Sequence, residues 1–136
     1  MVTLRVFVYG SLLPGQYNHG IAEPYIRSIV PGSVPGRLVE VTGQQYPALV
    51  RDEASARRQA VVRGCWLEVG FEGLAAMDAL EDYCGIEESN DYIRVWTNDA
   101  FQAGLSGWVY LWESDRDCPP VLTDYWPEHR NQNKRG

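Results

Sequence analysis

Strand-like alternation over residues 6–9 of "VFVYGSLLPGQYNH" gives way at once to Gly10, Ser11 and Leu12. Such a break predicts either a tight turn or a loop whose backbone amides serve a ligand. Consecutive N–H groups that turn away from a strand end can form a nest for a carboxylate, and a glycine lets the backbone approach that ligand closely. The first candidate site is therefore an anion site made by the amides of these three residues.

The second candidate is a carboxylate on the apolar face of a predicted helix. The segment "FEGLAAMDALEDYC", residues 71–84, places Leu74 and Met77 on one face, and Glu81 follows at helical spacing on that same face. A carboxylate directed into a core costs several kcal/mol unless it is paired, protonated or facing a polar cavity. Glu81 is thus either a structural carboxylate paired with an arginine such as Arg94, or a carboxyl with a raised pKa that acts as general acid and base.

Further polar residues have two readings each. Asn18 and His19 either cap a short helix or contact a substrate. Tyr92 and Arg94 lie on the same side of one predicted strand; Tyr92 suits a hydrogen-bond donor near a leaving group, and Arg94 suits a structural partner for acidic residues. A cysteine nucleophile, Cys65 or Cys84 with His19, is the weaker alternative because neither cysteine lies in a catalytic signature.

Composition narrows the class of protein. The 136 residues, 45% hydrophobic and 22% charged, suit one globular domain over residues 1–126, followed by a basic, disordered tail over 127–136. Three cysteines without a CxxC pair and two histidines predict neither disulfides nor a metal site. The net charge of −6 argues against nucleic-acid and anionic membrane partners, and the absence of a signal-like segment favours a cytoplasmic protein. The oligomeric state is left open.

The acidic residues are concentrated in one part of the chain. Residues 68–99 hold nine acids against one base, Arg94. Such a run is usually a solvated face, and we expect Glu81 to be the exception. The nine are Glu68, Glu72, Asp78, Glu81, Asp82, Glu87, Glu88, Asp91 and Asp99.

The elements that must position these residues are mostly strands. Hydrophobic patterns predict a strand over Arg5–Tyr9, a short helix near Asn18–Ile29 interrupted by Pro24, and the convincing helix over 71–84. The remaining predicted strands are 33–41, 46–51, 60–69 with a bend at Gly64, 91–97 and 107–113. About six strands, mostly hairpin-connected, indicate an α+β fold whose mixed, mostly antiparallel sheet curls toward a small barrel.

Five short segments of the chain occur in a characteristic order, namely "VFVYGSLLPGQYNH", "YPAL", "MDALEDY", "YIR" and "WVYLW". In these segments the chain resembles the γ-glutamylcyclotransferase-like superfamily, and within it a small bacterial member of the γ-glutamylamine branch. The resemblance implies a barrel with flanking helices, a backbone cradle formed by Tyr9, Gly10, Ser11 and Leu12, and Glu81 as the essential carboxyl. Ser11 stands where many members of that branch carry threonine, and "CGIEESND" is variable in the family.

Chemistry of this class needs no protein nucleophile. The free α-amine of a γ-glutamyl amide can attack its own γ-carbonyl and close a five-membered lactam, so the enzyme holds the curled conformer and one carboxyl moves the proton. The sequence therefore predicts a γ-glutamyl cyclotransferase that releases 5-oxoproline and an amine from a small γ-glutamyl substrate without a cofactor. The alternatives are a binding domain for a small carboxylated ligand, and an enzyme that removes a protecting γ-glutamyl group within one pathway.

Overall fold

A computed structural model describes residues 3–10, 12–16, 19–41, 47–80 and 92–129. Its strands are β1 (Leu4–Val8), β2 (Ser28–Pro35), β3 (Arg37–Glu40), β4 (Pro47–Val50), β5 (Val61–Val69), β6 (Ile93–Asn98) and β7 (Ser106–Leu111). Its helices are α1 (His19–Ala22), a 3₁₀ turn (Glu23–Tyr25), α2 (Glu53–Arg57) and α3 (Phe71–Leu80). No helix in these described ranges is long and apolar enough to cross a membrane.

The strands form a five-stranded sheet in the order β2-β5-β1-β7-β6 and a two-stranded sheet of β3 and β4. All pairings are antiparallel except that of β1 with β7. The predicted α+β fold with a mixed, mostly antiparallel sheet is confirmed. Within the described strands, no ladder joins the β2 and β6 edges, so the sheet is not closed into a barrel.

Side chains alternate between the two faces of the large sheet, which produces two apolar clusters. On one face, Val6 and Leu67 pack with Leu74 and Met77 of α3. On the other face, Phe7 packs with Trp66, Val109 and Trp126, among others. As the sequence predicts, β1 directs alternate side chains to opposite faces of the sheet, and the apolar stripe of α3 packs on one of these faces. This packing fixes the helix against the sheet.

The curl of the sheet brings its two edges together at Asp99, which follows β6. The Asp99 carboxylate accepts hydrogen bonds from the backbone N–H of Ser33 in β2 (3.0 Å) and from Trp66 Nε1 in β5 (2.9 Å). It also accepts the backbone N–H groups of Phe101 and Gln102, each at 2.9 Å. Asp99 is buried, so its assignment to a solvated acidic face is wrong.

Several predicted boundaries differ from the observed ones. The predicted strand over 33–41 is two strands, because Gly36 with φ of 143° ends β2 and lets the chain enter the second sheet. The segment near Asn18–Ile29 is a helical turn only as far as Tyr25, with Pro24 inside the 3₁₀ turn, and becomes strand from Ser28. Helix α2 was not predicted; a capping box between Asp52 and Ser55 begins it.

The structure describes the first residues after the expected boundary at residue 126. Residues 126–129 are helical, Glu128 forms an ion pair with Arg63 at 2.7 Å, and the His129 ring packs on Trp126. Residues 130–136 of the expected tail lie outside the described ranges, so the boundary at residue 126 stays a prediction.

Replacing Asp99 with asparagine tests how much this contact contributes to stability. An amide offers one acceptor oxygen and turns its own N–H groups toward donors, so we expect Asp99→Asn to lower the free energy of unfolding by about 2–4 kcal/mol at neutral pH. Urea denaturation measures this. The exposed Asp117 supplies the control, since Asp117→Asn should change the value by less than about 0.5 kcal/mol.

The contribution of the Asp99 carboxylate to stability depends on pH in a defined direction. Burial raises the pKa of Asp99, but the hydrogen bonds from Trp66, Phe101, Ser33 and Gln102 outweigh burial and hold the pKa below the ordinary 3.8. The ionised carboxylate therefore contributes stability above pH 3.8, and that contribution is lost as the pH falls further. The stability gap between the wild type and Asp99→Asn should narrow on acidification; a constant gap would contradict this account.

Candidate active site

Strand β1 ends where three strands meet, and the Tyr9 side chain occupies that junction. The Tyr9 hydroxyl donates to the backbone carbonyl of Tyr110 in β7 at 2.7 Å and accepts the backbone N–H of Leu49 in β4 at 3.2 Å. Past the end of β1, its place beside the chain that follows β7 is taken by β4. Trp112, the residue after β7, forms this contact by donating its backbone N–H to the Leu49 carbonyl. Tyr9 thus has a structural side chain, and its hydroxyl joins three strands.

After Tyr9 the backbone turns sharply. The Gly10 carbonyl accepts the N–H of Leu13 at 3.0 Å, and the Leu13 carbonyl accepts the N–H of Gln16 at 2.9 Å. Among the described residues, none accepts a hydrogen bond from the N–H of Gly10 or Leu12. Both residues are buried, and they are two of the three whose amides the sequence predicts as an anion site.

Pro47, the first residue of β4, packs tightly on this turn. A Cβ atom at Gly10 would lie 2.8 Å from both Cδ and Cγ of Pro47, so only glycine fits there without displacement. The Pro47 carbonyl accepts a hydrogen bond from the Tyr92 hydroxyl at 3.1 Å. The structure therefore brings Tyr92, just before β6, to the same end of the sheet as Gly10.

His19 contacts the turn from its other side. Its Nδ1 lies 2.8 Å from the Leu12 carbonyl, and because a carbonyl can only accept, Nδ1 carries the proton in this contact. His19 is also the first residue of α1. The ring therefore fixes Leu12, whose side chain is itself buried in the core.

Helix α3 is attached to the same region through Asp78. The Asp78 carboxylate pairs with the Arg94 guanidinium of β6 and accepts the Tyr110 hydroxyl of β7 at 2.5 Å. The side chains of Asp78 and Arg94 are only 20% and 18% exposed. The expectation that Asp78 is solvated is wrong. Arg94 pairs with Asp78, and its predicted pairing with Glu81 is untested because Glu81 lies outside the described residues.

Five of the eight predicted site residues lie in the described ranges, and all five are near one end of the sheet. They are Tyr9, Gly10, Leu12, His19 and Tyr92. Glu81, Ser11 and Asn18 lie outside the described residues, as does Cys84. Leu80, the last described residue of α3, directly precedes Glu81 in the chain.

Tyr110 and Pro47 are central to this region, and the sequence reasoning gave neither of them a role. Tyr110 contacts Tyr9 through its backbone carbonyl and Asp78 through its hydroxyl. The sequence contains one signal for it, a hydroxyl-bearing aromatic residue in the otherwise apolar run of β7, because a buried tyrosine hydroxyl usually finds a polar partner.

The alternative site chemistries find little support in the described residues. Burial raises the pKa of the Cys65 thiol, which disfavours the nucleophilic thiolate. In the same ranges, no group of three or more histidine, cysteine, aspartate or glutamate side chains is placed to hold a metal ion.

Comparison with known proteins matches nearly the whole chain. The family model described as "Gamma-glutamyl cyclotransferase, AIG2-like" matches residues 6–128. A relative from Niallia circulans, named gamma-L-glutamyl-butirosin B gamma-glutamyl cyclotransferase, is 31% identical over 135 residues, which cover 97% of this chain and 81% of the relative.

Solved structures share the fold. A protein from Pyrococcus horikoshii matches with a TM-score of 0.69 and 16% identity, covering 97% of each chain. An AIG2-like protein from Mus musculus matches with a TM-score of 0.61 and 22% identity, covering 82% of this chain and 78% of its own. At these identities, the likeness concerns the fold alone.

Gly10→Ala tests the close packing of the turn on Pro47. The added methyl group would overlap the Pro47 ring, so we expect the free energy of unfolding to fall by about 1–3 kcal/mol. Gly20→Ala in α1 is the control, because nothing lies within 4 Å of a Cβ built there. Equal effects of the two substitutions in chemical denaturation would contradict the packing described.

Proposed function

Because the chain belongs to the gamma-glutamyl cyclotransferase, AIG2-like family, we propose that it converts a γ-glutamyl amine or γ-glutamyl amino acid into 5-oxoproline and a free amine. The observation that carries the proposal is the meeting of two segments at one end of the sheet. Tyr9, which directly precedes the turn after β1, and Asp78, near the end of α3, both contact Tyr110. The first offers backbone amides for an anion, and the second leads into Glu81.

The reaction requires one bond to form and one to break. The substrate's α-amine attacks the γ-carbonyl, the lactam C–N bond forms, and the original amide C–N bond breaks. A proton leaves the α-ammonium group and another reaches the departing amine, and we assign both transfers to Glu81. Holding the substrate curled gives this intramolecular attack a large effective molarity, so neither a metal nor an organic cofactor is needed.

Binding of the γ-glutamyl group is assigned to the turn after β1. The N–H groups of Gly10 and Leu12 have no acceptor among the described residues, and the α-carboxylate of the substrate is a suitable one. Backbone donors suit a chain with a net charge of −6, because they bind an anion without a cationic side chain. Ser11 lies between them in sequence, and we propose that its amide contributes as well.

A second, narrower function is favoured by the Niallia circulans relative, whose name specifies γ-L-glutamyl-butirosin B. By the same lactam-forming step, this chain would remove a γ-glutamyl group that protects an amine in a biosynthetic intermediate. The two functions differ only in the leaving amine. A non-catalytic binding domain is disfavoured by membership of a family described as cyclotransferases.

The decisive experiment is a substrate panel. The protein is incubated with γ-glutamyl amines, γ-glutamyl amino acids, glutathione and a γ-glutamylated aminoglycoside in ¹⁸O-labelled water, and products are identified by mass spectrometry. We expect unlabelled 5-oxoproline, and no turnover of N-acetylated substrates, whose α-amine is blocked. Labelled free glutamate would instead show hydrolysis and overturn the cyclisation mechanism.

Glu81→Gln tests the assigned proton transfer. The amide keeps the shape of the side chain but loses the titratable proton, so kcat should fall by at least about a hundredfold. Glu72→Gln provides a matched control, because Glu72 is exposed in the first turn of the same helix. A folded Glu81→Gln protein with near-normal kcat would remove Glu81 from the mechanism.

A further inference from the structure

One residue of β7 contacts both segments that form the proposed site. The Tyr110 backbone carbonyl accepts the Tyr9 hydroxyl at 2.7 Å, immediately before the turn that begins at Gly10. The Tyr110 hydroxyl donates to Asp78 of α3 at 2.5 Å. Tyr110 of β7 therefore links the residue before the turn to helix α3.

The contact to the helix involves a largely buried charge. Asp78 pairs with Arg94 of β6, and the Arg94 guanidinium also lies over the Trp108 ring at 5.0 Å from its centroid. Taking such a pair out of water is costly, so its main effect need not be greater stability. This geometry instead fixes the orientation of α3. A carboxylate that is bonded from two strands restrains the helix both along its axis and in rotation around it.

Asp78 also lies close to Glu81 along the chain. Consecutive Cα atoms are 3.8 Å apart, so three peptide units can separate the backbones of Asp78 and Glu81 by no more than about 11 Å. Leu80, the residue before Glu81, is still helical. The last described turn of α3 therefore directly precedes Glu81 in the chain.

We infer that Tyr110 and Asp78 are positioning residues, which hold the end of α3 in fixed relation to the turn after β1 and so aim the Glu81 carboxyl at the bound γ-glutamyl group. The inference rests on the proposed function. Neither residue touches the reacting atoms; both act through Glu81. A displacement of about 1 Å of a catalytic group can reduce the rate by about a hundredfold, so the loss of one such contact should be visible in kcat.

Two substitutions that keep the shape of the side chain test this inference. Tyr110→Phe removes one oxygen atom and leaves the carbonyl contact to Tyr9 in place. Asp78→Asn keeps an acceptor for Tyr110 but removes the charge paired with Arg94. With the best substrate of the panel, both should lower kcat by about tenfold or more, while KM changes by less than about threefold, because the α-carboxylate site is untouched.

Matched controls come from a part of the chain to which no role in the site is assigned. Tyr125→Phe removes the hydroxyl of a ring that lies under the Arg63 guanidinium, and Asp124→Asn removes the charge from an exposed pair with the same arginine. Both should leave kcat and KM unchanged. All proteins are assayed well below their melting temperatures, with folding checked by circular dichroism, so that a loss of folded protein is not counted as a loss of rate.

Hydrogen exchange adds a measurement that does not depend on activity. Amides of Met77–Leu80 should exchange faster in Tyr110→Phe than in the wild type, and Tyr125→Phe should leave them unchanged. If Asp78→Asn fails to fold, Tyr110→Phe alone decides.

The inference and the proposed function fail in different ways. An active wild type with kcat within twofold in folded Tyr110→Phe, or a loss confined to KM, overturns the positioning role alone. A wild type that forms no 5-oxoproline from any substrate overturns the proposed function and this inference with it.

Discussion

The arrangement of this protein depends on the way its first strand ends. Strand β1 lies between β5 and β7, but it turns away after Val8, and β4 then pairs with the chain that follows β7. Where β1 gives way to β4, the Tyr9 hydroxyl accepts a hydrogen bond from the Leu49 N–H and donates one to the Tyr110 carbonyl. Without such a side chain, two backbone groups in the core would each lose one hydrogen bond, which is costly in a dry interior. The turn whose Gly10 and Leu12 amides have no acceptor among the described residues follows directly after this junction.

Local pattern was sufficient for the elements whose hydrophobic period is unambiguous. The alternation of β1 and the stripe of Leu74 and Met77 correctly predicted a strand and a helix, and hence the α+β class. The short elements were harder. Helix α2 is five residues long and depends on one capping box, and the strand predicted over 33–41 is divided by Gly36, whose φ depends on where the second sheet lies. No window of sequence contains that information.

In the candidate site, too, local features could be predicted from the sequence, whereas contacts between distant residues could not. The glycine turn and its nearby tyrosines were visible because glycine and an interrupted strand are local signals. The roles of Asp78 and Asp99 were not visible, because both lie in an acidic run and their partners are distant in the chain. Tyr110 is 32 residues from Asp78, and Ser33 is 66 residues from Asp99. Charge density along the chain describes the surface on average, whereas burial of a single carboxylate is decided by which donors the fold brings to it.

The central place of β1 in the sheet also has a consequence for how the chain is made. This strand is synthesised before both of its partners, β5 and β7, which lie much later in the sequence. Contacts between such distant segments form slowly, since a long loop must close before any of them is gained. Its three buried residues, Val6, Phe7 and Val8, therefore have no β-partner during most of synthesis. A nascent chain of this topology is exposed to aggregation at β1 until β5 has been made and can pair with it.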